Sequence, residues 1–97
     1  MKYYLLEGEF IDNHPTGNDL DKVLAEHGAY LKNDTNKANV LLAGPKTDRS
    51  GGIIIVKSDD IQNFCDNDPL IMHSVQTYHI SEFSINEYSE FLEQWCE

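Results

Sequence analysis

In "ANVLLAGPKTDRSGGIIIVK", residues 38–57, two apolar runs flank a polar loop. The runs "ANVLLAG" and "IIIVK" place aliphatic residues at consecutive positions and are too short for helices. They read as strands 2 and 3, apolar on both faces. The loop "GPKTDRSGG" has glycines at both ends, which suits a hairpin that turns sharply and brings two backbones close. An antiparallel pair therefore occupies the middle of the chain, and neither of its faces is polar enough to be left in water.

Upstream, "KYYLLEGEF" (2–10) reads as strand 1, rich in aromatic and aliphatic residues. "IDNHPTGND" (11–19) has the proline, glycine and Asx content of a loop, with Asn18 placed to cap a helix and Asp21 in its first turn. Helix 1 is expected from about Asn18 to Lys32, with Leu20, Val23, Leu24, Tyr30 and Leu31 at helical spacing, and "NDTNK" stops it. Downstream, Ser58 is expected to cap helix 2, whose inward stripe is Ile61, Phe64 and Cys65, and "DNDP" ends it. "PLIMHS" reads as a turn and "VQTYHISEF" (75–83) as strand 4. Ser84 and Glu87 form a capping box, which predicts a last helix over about 85–96 carrying Tyr88, Phe91, Leu92 and Trp95 on one side. The order β-α-β-β-α-β is the ferredoxin-like α+β arrangement, with both helices on one face of an antiparallel sheet. We expect a single domain over 1–97, with a core of 1–84 and the C-terminal helix beyond it.

That arrangement leaves the second sheet face open, although strands 2 and 3 are apolar on both sides. A patch of that size on a monomer calls for a cover, and a second copy of the chain, sheet against sheet, is the expected one. The terminal helix would supplement it. Seventeen acidic against seven basic side chains give a net charge of −10, which disfavours nucleic acid and anionic membranes as partners. No run reaches the apolar length of a membrane span, and the opening "MKYYLLEGEF" meets glutamate too early for a secretory signal, so the expected location is cytoplasmic. There Cys65 and Cys96 are expected as free thiols.

His27 stands inside the apolar stripe of helix 1, seven residues after Leu20, and an imidazole in that place needs a polar partner. Around it the segments "EHGAYLKN", "LLAGP", "GGIIIV", "DNDPL" and "YHISEF" follow in an order and spacing that resembles the YCII-related family, over Met1 to Phe83. The resemblance implies a ferredoxin-like fold paired into a dimeric α+β barrel, similar in architecture to muconolactone isomerase. It also implies a histidine and aspartate pair in a pocket, which falls here on His27 and Asp68. Physically, an imidazole with one nitrogen bonded to a carboxylate is fixed in one tautomer and keeps the other nitrogen free to move a proton. Two structural uses stand beside this one: His27 as a core histidine bonded to a backbone carbonyl, and Asp68 as an N-cap ahead of Pro69. Capping and pairing are compatible, since a carboxylate has two oxygens.

The chain departs from the family pattern at Leu24, where many members carry an arginine, and at Gly28, where a bulkier apolar residue is usual. Gly44, Pro45, Arg49 and Tyr4 are the candidate substrate contacts, Arg49 being the only arginine in the chain, while Tyr3, Tyr4, Phe10 and Tyr78 read first as core residues, some of them suited to line a pocket for a planar ligand. His14, His73 and His79 follow no metal-ligand spacing, Gly51-Gly52 lacks the following helix of a phosphate loop, and no cofactor or metal is expected. The function expected is acid/base proton transfer on a small, aromatic or lactone-like metabolite, of lyase or isomerase type. The class rests on the resemblance, because the family includes an aromatic dehydrochlorinase. The alternative is a non-catalytic dimeric module that binds or senses a small molecule.

Overall fold

A computed structural model describes residues 1–96. The elements are β1 (Lys2–Phe10), α1 (Gly17–Leu31), β2 (Val40–Pro45), β3 (Gly52–Ser58), α2 (Ile61–Asp66), α3 (Pro69–Met72) and β4 (Gln76–Phe83). The four strands form one antiparallel sheet in the order β2-β3-β1-β4. This is the ferredoxin-like α+β arrangement that the element order predicts. No helix among the described residues is long and apolar enough to cross a membrane.

Alternation along the central strand divides the sheet. Tyr4, Leu6 and Gly8 are buried, while Leu5, Glu7 and Glu9 between them are exposed. On the buried face Leu6 stands opposite Ile54 on one side and Ile80 on the other, and these join Val56, Leu31, Phe64 and Cys65 in the main core. A second cluster of Val23, Leu70 and Val75, with Leu20 and Phe10 against it, ties α1 to α3. On the other face, Leu42, Ile55 and Leu5 lie side by side across β2, β3 and β1, and Leu42 is 50% exposed. The apolar character of β2 and β3 on both sides is thus real, and one side of it meets solvent in the single chain.

Several boundaries differ from the sequence reading for local reasons. Thr16, not Asn18, precedes α1, and it makes no side-chain cap bond. The strand β3 runs on through Ser58, so α2 is capped two residues later by Asp60, whose carboxylate accepts from the Asn63 amide. The expected turn "PLIMHS" contains the short helix α3, because Asp68 accepts from the Leu70 amide and Pro69 supplies a preset φ at the first helical position.

The predicted C-terminal helix is the substantive correction. Residues 84–89 are irregular, and only one 3-10 turn, Glu90–Leu92, forms. A short helix needs a continuous buried face to offset nucleation, and half of the proposed stripe lacks one: Phe91 is 85% exposed and Tyr88 is exposed as well. The tail instead lies over one corner of the open sheet face. The ring of Trp95 packs 5.5 Å from that of Tyr3, the Tyr3 hydroxyl donates to the Cys96 carbonyl, and Lys57 donates to the Trp95 carbonyl at 2.8 Å. The tail covers this corner as expected, but as a strap. Cys65 and Cys96 are both free.

Candidate active site

The site begins with the segment between α2 and β4. Asp68 sits at the N-cap of α3, and its side chain is completely buried. A buried carboxylate is tolerated only when its oxygens are occupied. Here Oδ1 accepts from the Leu70 amide at 3.0 Å and pairs with His27 Nδ1 at 2.8 Å, while Oδ2 accepts from the Tyr78 hydroxyl at 2.6 Å. A carboxylate only accepts, and that fixes the tautomer: Nδ1 of His27 carries the proton toward Asp68 and Nε2 is the nitrogen that Asp68 leaves unused. Capping and pairing therefore do coexist, and they share the same oxygen.

Each partner reaches Asp68 from a different element. The α1 stripe carries His27 over the sheet, and its side chain retains 17% exposure. Tyr78 comes from the edge strand β4, where it lies opposite Gly8 of β1. Burial, and after it the negative charge of Asp68, raises the Tyr78 hydroxyl above its ordinary value, so it keeps its proton and stays a donor. The same two causes push the neighbouring Cys65 thiol up to about 12, which makes it an inert core side chain and not a nucleophile.

In front of His27 lies a cleft of about 860 Å³ between α1 and the β2–β3 hairpin, within the size range of small-molecule sites. Its walls are largely apolar, with Leu20 and Leu24 on the helix side and Val40 and Ile54 on the sheet side. His27, Gly44, Pro45 and Arg49 all line it. Tyr4 does not: it belongs to the main core beneath the sheet's buried face, because its position in the strand alternation points it into that packing. Leu24, where the family pattern has an arginine, is one of the apolar wall residues. Gly51, also on the wall, passes so close to β1 that a Cβ there would collide with the carbonyl oxygen of Gly8. That close approach, anchored by the Phe10 amide donating to the Ser50 carbonyl at 2.8 Å, fixes the hairpin end of the cleft.

Tyr78 and Gln76 are wall residues whose roles the sequence left open. Gln76 is buried and its carboxamide lies against Gly8, where a side chain would meet it at 2.7 Å. Only the register, which pairs Gly8 with Tyr78, makes this visible. Among the described residues no three metal-ligating side chains gather.

The fold and this cleft define a small α+β protein with a buried carboxylate orienting a histidine at the wall of a ligand-sized hollow. A model of the YCII-related domain matches residues 1–84, and the chain belongs to that family. None of the curated proteins compared with the chain matches it.

Proposed function

We propose that this protein is a cytoplasmic acid/base enzyme in which His27, oriented by Asp68, moves a proton to or from a small aromatic or lactone-like metabolite. The reaction is of lyase or isomerase type, since proton transfer at an acidic carbon or oxygen needs one correctly placed base and no redox partner. The observation that carries this reading is the 2.8 Å contact between Nδ1 and Asp68 Oδ1 on a histidine that lines the cleft. Asp68 and Tyr78 act as positioning residues. The carboxylate holds the ring in one tautomer, and the phenol keeps the carboxylate in place by occupying its other oxygen. Gly44 and Pro45 shape the sheet-side wall.

The working unit in this reading is a homodimer. Leu5, Leu42, Ile53, Ile55 and Phe83 share the open sheet face, all of them half-buried or exposed in the single chain, and a second copy would cover them sheet against sheet.

The test is a thermal-shift screen with phenolic and lactone metabolites, followed by product analysis of each hit in wild type and in His27→Ala. Turnover by wild type with loss of product in the variant supports the enzyme. A ligand that binds both and is converted by neither replaces it with the binding module.

A further inference from the structure

We infer that the ligand of the cleft is a small organic carboxylate, with Arg49 meeting its charge and the aliphatic walls meeting its body. The inference deepens the reading above and rests on it for the location of the site.

It follows from where the charges are. The chain has 17 acidic residues and seven basic ones, yet the cleft wall carries Lys32, Lys37 and Arg49, together with His14 and His27, and not one carboxylate. A protein so acidic overall presents a local cationic hollow only if its carboxylates are kept elsewhere, and they lie on the open sheet face, on α1, in the loops and along the C-terminal tail. Such a concave patch draws anions in by its field against the repulsion of the surroundings.

Several of the other cations, one on the cleft's rim among them, are already engaged. Lys46 pairs with Glu7 at 2.9 Å, Lys37 with Asp34 at 3.0 Å, and Lys57 donates to the Trp95 carbonyl. Arg49 and Lys32 have no carboxylate partner among the described residues. Of the two, Arg49 is held by an ordered loop. Asp48 accepts from both the amide and the hydroxyl of Ser50, the Lys46 amide donates to the Gly51 carbonyl, and Arg49 itself adopts φ 66°, a left-handed conformation that glycine or asparagine takes more easily. Oδ1 of Asp48, the carboxylate nearest in sequence, is thus occupied by Ser50, and the guanidinium is presented from a fixed backbone. A guanidinium matches a carboxylate through two parallel N–H···O bonds, and the largely aliphatic lining suits the apolar body of an organic acid better than the polar surface of a free phosphate.

Two matched probes test this: 1-naphthoate, and 1-naphthamide as its neutral counterpart, titrated against the full chain by amide chemical-shift mapping. Naphthoate is expected to bind at least about tenfold more tightly, to shift resonances of the hairpin and of α1, and to weaken with added salt. Arg49→Asn and Arg49→Gly both suit the loop conformation, so each is expected to keep or raise the melting temperature while removing most of the preference for naphthoate. Equal affinity for the two probes, binding of neither, or an unchanged preference in both variants overturns the inference. Turnover of a neutral substrate with no charge preference would sink the carboxylate and leave the enzyme standing. Charge-selective binding with no product from any hit would do the reverse.

Discussion

The phenol of Tyr78 donates to Asp68 at 2.6 Å, on the carboxylate oxygen that His27 does not use. Two residues ten apart in sequence thereby close a network that takes in α1, α3 and β4, and the buried charge has a donor on each oxygen. Tyr78→Phe removes one donor and leaves that oxygen unpaired in the interior. It is expected to cost roughly 1–3 kcal/mol in urea denaturation, more than the loss of an exposed hydroxyl. A variant as stable as wild type would show that the phenol is dispensable to the carboxylate.

Asp68→Asn tests the tautomer. An asparagine offers one acceptor where the site presents donors on both sides, so either the Tyr78 hydroxyl or the pair of His27 and the Leu70 amide must face an NH2 group. Since the Tyr78 hydroxyl can accept and the Leu70 amide cannot, the NH2 group is expected to turn to Tyr78 and His27 to keep its proton on Nδ1, which nitrogen chemical shifts of labelled histidine report directly. A proton on Nε2 in wild type contradicts the assignment to Nδ1.

Stability at alkaline pH follows from the buried acids. Cys65 titrates at about 12 in the folded protein against an ordinary 9.0, and Tyr78 and Tyr30 are also raised, all three chiefly by burial. Between the two limits the unfolded chain has released protons that the folded chain still holds, so the contribution is full below about pH 9 and is lost as the pH climbs toward the folded value. The urea midpoint is expected to fall between about pH 8 and about pH 10.5, and a rising midpoint would reverse the sign. Thiol labelling at about pH 8 is expected to spare Cys65 until the protein unfolds.

Leu42→Glu places a charge on the open sheet face, on the edge strand β2 beside Ile55 and without touching the cleft. Sedimentation is expected to show a homodimer in wild type and a monomer in the variant, with the far-ultraviolet dichroism preserved. A wild type that sediments as a monomer at micromolar concentration ends the sheet-to-sheet pairing.

Gly51→Ala puts a methyl group into the carbonyl of Gly8, and only backbone movement relieves it. A loss of more than about 2 kcal/mol is expected, well above the ordinary cost of a surface substitution. Gly28→Ala, where a Cβ meets nothing within 4 Å, is the control and is expected to stabilise α1 by a few tenths of a kcal/mol up to about 1 kcal/mol.

The order of the four strands and of α1 and α2, the hairpin at 45–52, the two-faced apolar character of β2 and β3 and the candidacy of His27 and Asp68 were all legible along the chain. These depend on local turn chemistry, on periodicity and, for the pair, on a family likeness, each carried by neighbouring residues. The last helix was misread because a capping box and a stripe describe propensity only. Whether Phe91 has anything to pack against is a question about other parts of the molecule. Tyr78 was ambiguous for the same reason, since an aromatic residue in a strand can fill a core or serve a carboxylate.

The sequence by itself therefore determined the topology and the chemistry available to it. The tertiary structure decided which groups share an interior: that Tyr78 closes the Asp68 network, that Tyr4 stays in the core, and that the charged side chains lining the cleft are all basic. Burial turns a hydrogen bond from a weak preference into a requirement and removes the water that would screen a charge. Both effects depend on how segments distant in sequence close over one another.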